Sequence, residues 1–204
     1  MNSQSDIFGS SREAPAYEPP HYGPIETERL VLRQLTEEDA ADILEFSSDP
    51  RTAYWAGMEP MKDLAEAKEA IELGNFFMAE PQYGITVKGS DKVVGTISVS
   101  EDLDMSNRLQ TILGYLISPD YEGRGYMSEA VKALCVHLFG TTRIPRIMVE
   151  IRPDNLPSQG VARKCGFVRN AAQVRRRLNH YGKPLDEYFL ERPLNDDTEP
   201  KVNS

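Results

Sequence analysis

The stretch Asp120-Tyr-Glu-Gly-Arg-Gly-Tyr-Met-Ser-Glu129 follows an apolar run, Thr111 to Ser118, and leads straight into a helical pattern. Met127, Ala130, Val131, Leu134, Cys135 and Leu138 recur at the three- and four-residue steps of a buried helical stripe. The run before the turn reads as a strand. Gly123 and Gly125, one residue apart, let the chain turn tightly and bring backbone close to a ligand with no Cβ in the way. The first N–H groups of the helix have no intrahelical acceptor and carry the positive end of its dipole, so they converge on an anion such as a pyrophosphate. Gly-x-Gly alone is also a plain tight turn. The strand–turn–helix setting narrows it, because the lysine of a nucleotide P-loop and the third Rossmann glycine are both missing.

On the N-terminal side, Arg29-Leu-Val-Leu-Arg33 reads as a strand. Thr36-Glu-Glu-Asp39 resembles a capping box, followed by Ala40, Ile43 and Leu44 on one helical face. A second helix is expected from about Asp63 to Gly74. Strands are expected at Tyr83 to Lys88 and Val93 to Ser100, joined by a hairpin turn at Gly89-Ser-Asp91. On the C-terminal side, Arg146 to Arg152 alternates, with Ile147, Val149 and Ile151 on one face. Pro157 to Lys164 reads as a short helix stopped by Gly166, and two final strands flank Tyr181-Gly-Lys183 and end near Leu190. The order β-α-α-β-β-β-α-β-α-β-β implies an α+β fold, a mostly antiparallel sheet with helices on both faces. Residues 1–24 hold Pro15, Pro19, Pro20 and Pro24 with few aliphatics, and read as a flexible arm. Residues 25–194 form one domain, and Asn195 to Ser204 a second flexible tail.

Composition excludes several function classes. The chain has 204 residues, 40% hydrophobic and 27% charged, enough for one ordinary core. No stretch is long and apolar enough to span a bilayer, and Met1 to Ser11 carries no apolar signal segment, so a cytoplasmic protein with no membrane association is expected. The net charge of -9 argues against nucleic-acid binding, which needs basic surface, and permits a basic partner. Cys135 and Cys165 sit in apolar patterns and read as reduced core thiols. His21, His137 and His180 are scattered, so no metal is expected.

A second constellation is Asn155-Leu-Pro-Ser158 leading to Lys164-Cys-Gly-Phe167. Asn155 is a helix cap with Pro157 in the first turn, and it could bind a ligand amide as well. Candidate general bases are Glu101 and Asp102, placed after the third strand, and Glu150, on the face opposite Ile147, Val149 and Ile151. Each is equally an ordinary surface carboxylate.

With these motifs in order, Glu26-Thr-Glu-Arg-Leu-Val-Leu-Arg33, Gly114-Tyr-Leu-Ile-Ser-Pro-Asp120, Gly123-Arg-Gly-Tyr-Met-Ser-Glu-Ala130 and Asn155-x-x-Ser158 with Lys164-Cys-Gly-Phe167, the chain resembles the GCN5-related N-acetyltransferases (GNAT). Within them it resembles the branch that includes the bacterial ribosomal-protein N-terminal acetyltransferases. The resemblance spans about Pro24 to Leu194. It implies a GNAT fold whose central sheet is splayed between its fourth strand, Thr111 to Ser118, and its fifth, Arg146 to Arg152. It implies acetyl-CoA as co-substrate and a primary amine as acceptor, the α-amine of a protein or peptide foremost, in a monomer or homodimer. A small-molecule N-acetyltransferase acting on a polyamine, amino acid or antibiotic stays open, as does a non-catalytic acyl-CoA-binding module.

Carried over, Leu116, Ile117 and Ser118 would meet the pantetheine arm through backbone groups. Gly123, Arg124, Gly125, Tyr126, Met127 and Ser128 would hold the pyrophosphate, and Asn155 would touch the pantetheine. Many members place a tyrosine seven residues after the asparagine to protonate the departing thiolate. Here that residue is Ala162, which leaves Ser158 as the family-matched hydroxyl nearest the sulfur. Glu101 is the candidate base. Tyr54-Trp55 falls in the acceptor-side region, where it could wall the pocket or anchor the core. Arg175-Arg-Arg177 with Asn179 to Lys183 falls near the acceptor rim, where it reads first as an exposed strand edge protected by charge and second as a contact for an acidic acceptor or a phosphate.

Overall fold

Alternating apolar residues build the sheet and one change of direction opens it. The computed structural model describes residues 23–72, 82–103, 109–173, 177–179 and 181–193. The proposed arm and tail lie almost wholly outside the described residues. Eight strands among them form one sheet: β1 (Ile25–Glu26), β2 (Leu30–Gln34), β3 (Gln82–Val87), β4 (Val93–Leu103), β5 (Leu109–Ile117), β6 (Arg146–Ile151), β7 (Val168–Arg169) and β8 (Asp186–Glu191). Their spatial order is β1-β2-β3-β4-β5-β6-β8-β7. All neighbours are antiparallel except β5 and β6.

That parallel pair is brief. Thr111 pairs with Ile147 and Ile112 with Met148, and beyond them the two strands separate. This is the splay expected between Thr111–Ser118 and Arg146–Arg152. Because the strands run parallel, the helices that follow them, α4 (Tyr126–Thr141) and α5 (Leu156–Lys164), both begin at its open end. Ligand sites form outside the carboxyl ends of such strands.

The two sheet faces carry different helices. On one, α4 lays Met127, Ala130, Val131, Leu134 and Leu138 against Leu30, Leu32, Ile85, Ile97, Val99 and Leu113. Leu134 is fully buried, so its truncation to alanine costs about 2–5 kcal/mol. On the other face lie α1 (Ala40–Ser47), α2 (Pro50–Ala56) and α3 (Leu64–Glu72), whose Ile43, Phe46, Ala67 and Ala70 pack with Val93 and Leu116. Cys135 and Cys165 are free and buried, and burial pushes their thiols to about 12 and about 11, so both stay protonated.

The capping signal at Thr36 starts a 3-10 turn, Glu37–Asp39, before α1. The Asp39 carboxylate accepts the Thr36 N–H at 2.8 Å and both Arg33 nitrogens at 2.8 Å.

Three features differ from the sequence expectations. Glu101 and Asp102 lie within β4, which runs on to Leu103. The strand expected before Tyr181 lies mostly outside the described residues, which show the bridge Leu178 to Pro184 there, and β7, which was not expected, pairs with β8. Helix α2 was not expected at all. It has no long apolar stripe, only end chemistry: Asp49 accepts from the Arg51 and Thr52 N–H groups, Pro50 occupies the first turn, and Gly57 stops the helix at φ 73°.

Candidate active site

Strand β5 spends one edge on β4. The Ser118 N–H donates to the Val94 carbonyl at 2.8 Å, and Leu116 stands opposite Thr96. Antiparallel strands present their backbone groups to alternate sides. Leu113, Tyr115 and Ile117 therefore turn their N–H and C=O groups toward β6, whose pairing ends at Ile112–Met148 and leaves those of Tyr115 and Ile117 open to the splay. Of Leu116, Ile117 and Ser118, it is Ile117 that offers backbone donors and acceptors to the splay. The Leu116 side chain is buried against the α1–α3 face.

The glycine turn has the geometry its sequence implies. Gly123 and Gly125 adopt φ 74° and 80°, in the left-handed region, and the three residues Gly123 to Gly125 are exposed. Met127 is buried, so it contributes only its N–H here, while Tyr126 and Ser128 are half-buried. The Ser128 carbonyl accepts from the Cys165 thiol at 3.4 Å, tying the first turn of α4 to α5. Arg124 folds back: it donates to the Asp120 carbonyl at 2.8 Å and lies 5.0 Å from the Tyr121 ring.

A second cation joins from the other end of the chain. Arg29 donates to the Arg124 carbonyl at 3.0 Å, lies 4.7 Å from the Tyr126 ring, and pairs with Glu129 at 2.6 Å. Thr27 donates to the same carboxylate at 2.6 Å. Burial acts to raise the Glu129 carboxyl, but the hydrogen bonds from Thr27 and Arg29 prevail and hold it below its ordinary value. The one acidic residue of the α4 first turn is thus neutralised. Free N–H groups, the dipole, two left-handed glycines and two arginines together suit a pyrophosphate anion. Arg29 was not singled out in the sequence because its partner Glu129 is 100 residues away.

Across the splay, Asn155 caps α5 by accepting the Ser158 N–H at 3.1 Å. The Ser158 hydroxyl donates to the Tyr115 hydroxyl at 2.9 Å, and Tyr115 donates to the Ser158 carbonyl at 3.1 Å. One hydroxyl pair therefore bridges β5 and α5. Burial pushes Tyr115 well above its usual value, so it stays protonated. Ala162 is buried in the core. Tyr115 was missed in the sequence, although its alternation with Leu113 and Ile117 places it on the α4–α5 face.

The opposite face of the splay is polar and aromatic. Arg152, just past β6 and 5% exposed, donates to the Tyr54 hydroxyl and to both Asp154 oxygens, the closer at 2.6 Å. Its hydrogen bond holds the Asp154 carboxyl below the usual range. The guanidinium carbon lies 4.1 Å from the Tyr54 ring and 4.9 Å from the Trp55 ring. Glu150 is half-buried and pairs with Arg177 at 3.5 Å. The Tyr181 hydroxyl donates to the Met58 carbonyl at 2.6 Å, so the loop after Arg177 leans on the end of α2. Arg175 and Arg176 lie outside the described residues. Glu101 is not brought into this group. It is exposed and pairs with Thr111, four residues along β5 from Tyr115, which is about 13 Å.

Among the described residues no three His, Cys, Asp or Glu side chains cluster as a metal site, and no helix is long and apolar enough to cross a membrane.

The profile of the acetyltransferase (GNAT) domain matches residues 29–168. An uncharacterised N-acetyltransferase, p20, of Bacillus licheniformis is 31% identical over 80% of this chain and 92% of its own. The [ribosomal protein uS5]-alanine N-acetyltransferase of Escherichia coli is 26% identical over 69% of this chain and 76% of its own. A solved GNAT-family acetyltransferase from Bacillus anthracis superposes with a TM-score of 0.67 at 24% identity, covering 82% of this chain and 96% of that one. With the domain profile covering more than half of its length and a relative above 30% identity, the chain belongs to the GNAT family and is an acyl-CoA-dependent N-acyltransferase.

Proposed function

We propose that this protein moves an acetyl group from acetyl-CoA to the α-amine of a protein or peptide, by direct transfer with both substrates bound. The observation that carries the proposal is the Ser158–Tyr115 hydroxyl pair at the splay, together with the position of Glu101 outside it. Such a site can hold and relay a proton, and the carboxylates the described residues bring to the splay, Glu150 and Asp154, are each paired with an arginine. Freeing an α-amine of pKa about 7.7–8 at pH 7 costs only about 1 kcal/mol, whereas a lysine at about 10.4 costs about 4.6 kcal/mol. A weak acid–base site therefore suits the α-amine. The similarity to an enzyme named for an alanine of ribosomal protein uS5 supports the same class of acceptor.

Residues 123–128 and Arg29 would hold the pyrophosphate, Ile117 the pantetheine through its backbone, and Asn155 its far side. The thioester supplies the acyl group. The neutral amine attacks its carbonyl carbon, and a β5 N–H facing the splay polarises the oxygen. As the C–S bond breaks, the Ser158 hydroxyl would give its proton to the departing sulfur and recover one from the acylated nitrogen, directly or through water, with Tyr115 holding the Ser158 oxygen by a hydrogen bond. Tyr54 and Trp55 would wall the acceptor. We place this activity in the cytoplasm, where acetyl-CoA and new N-termini meet.

A panel of peptides with free N-termini, N-blocked lysine peptides, polyamines and amino acids, read by thiol release, tests the assignment. Peptide N-termini should give the highest kcat/KM. Turnover of a polyamine with inert peptides would overturn it.

A further inference from the structure

Arg152 lies on the face of the splay opposite the Tyr115–Ser158 pair, and its donors are unevenly used. Nε–H goes to Asp154 at 3.0 Å, and Nη2 serves both Asp154, at 2.6 Å, and the Tyr54 hydroxyl. Nη1 is buried with no hydrogen-bond partner. A guanidinium has five N–H donors and cannot shed its charge. Two cationic N–H bonds therefore stand desolvated and unmet, a cost that a ligand oxygen would relieve.

The position suits such a ligand. Asn155, three residues on, caps the helix that carries Ser158, while the Tyr54 and Trp55 rings on α2 cover the guanidinium from the acceptor side. That cover is light: Tyr54 is 42% exposed, and α2 has seven residues and stops at Gly57. A small shift of the two rings would admit an oxygen to Nη1. The chemistry also discriminates. A polyamine would bring a second ammonium toward a fixed cation, whereas an α-amino acyl compound brings a carbonyl oxygen on the carbon beside the amine-bearing one.

We propose that Arg152 is the specificity-determining residue for the acceptor. Its Nη1 edge takes the carbonyl or carboxylate oxygen next to the reacting amine, so the acceptor is a peptide N-terminus or a free amino acid. The inference rests on the acceptor side assigned above and adds the group that reads it.

Trp55 is the sole tryptophan of the chain, so its fluorescence reports directly on this site. The full-length protein, loaded with CoA, is titrated with alanine amide, alanine, isopropylamine and spermidine. In parallel, kcat/KM is measured with acetyl-CoA for wild type, Arg152→Lys and Arg152→Met. Alanine amide, alanine or both should saturate and shift the emission, while isopropylamine and spermidine leave it flat. The arm that responds separates peptide from free amino acid. The preference for alanine amide over isopropylamine should fall about tenfold or more in Arg152→Met and partly return in Arg152→Lys. CoA affinity should stay within about threefold in both variants, which separates a lost contact from a lost fold.

A saturating spermidine response, no response to either carbonyl-bearing ligand with CoA bound, or an unchanged preference in Arg152→Met each overturns the inference. Failure of wild type to bind CoA would instead sink the cofactor-site assignment.

Discussion

The side of the splay we propose for the cofactor is built mostly from backbone, and the side we propose for the acceptor mostly from side chains. The first consists of a strand edge at Ile117, two left-handed glycines and the N–H groups of one 16-residue helix. All come from one continuous stretch of chain. The second joins Arg152 past β6, Tyr54 and Trp55 on α2, and Tyr181 in the loop before β8, in contacts spanning 98 and 123 residues of sequence. A backbone site is sensitive only where a Cβ or a charge intrudes. A side-chain site is sensitive at every member, and its chemistry can change while the fold stays fixed.

The largest break is expected on the backbone side. Gly125→Glu should weaken CoA binding by about a hundredfold or more in a calorimetric titration. It sets a β-carbon on a φ of 80°, a strain of about 1–2 kcal/mol, and puts an anion at the helix N-terminus. Gly123→Ala is the milder companion, because a β-carbon there meets nothing within 4 Å and only the backbone strain remains. Unchanged affinity in Gly125→Glu would remove the basis for the pyrophosphate assignment.

Next come the bridging hydroxyls. Ser158→Ala and Tyr115→Phe should each lower kcat about 10- to 100-fold while CoA affinity holds. The double variant should lose less than the product of the two, because the residues share one hydrogen bond. Additive losses would show that they act independently.

Both sides rest on the scaffold, and Asp39 tests it. Burial acts to raise its carboxyl, but hydrogen bonds from Arg33 and Thr36 win and hold it below the ordinary value. A depressed folded pKa contributes stability that is present above the unfolded value of about 3.9 and disappears as pH falls through the folded one. Asp39→Asn should cost about 2 kcal/mol at pH 7 and flatten the loss of stability below about pH 4, as read by urea melts across that range. An unaltered acid limb would show that Asp39 does not set it. The smallest effect is expected for Glu101→Gln, whose kcat should stay within about threefold of wild type. A larger fall would return the carboxylate to the mechanism.

Legibility in the sequence followed the same division. The helical stripe from Met127 to Leu138, the Gly123–Gly125 turn and the Asn155 cap could be read directly, since each depends on residues within a turn or two of one another. Helix α2 is not legible, although Asp49, Pro50 and Gly57 carry its start and stop signals, because seven residues show too little periodicity. Glu101 looked like a base from its place after a strand, and the longer β4 carries it away from Ser158.

Sequence alone determined the α4 stripe, the glycine turn, the Asn155 cap and the family, because capping, alternation and left-handed backbone are local properties. Only the tertiary structure decided that Arg29 neutralises Glu129, that Tyr115 holds Ser158, and that Arg152 lies beneath Tyr54 and Trp55. The pairing of residues so far apart is set by strand register and by where two parallel strands part, and neither leaves a spacing in the chain.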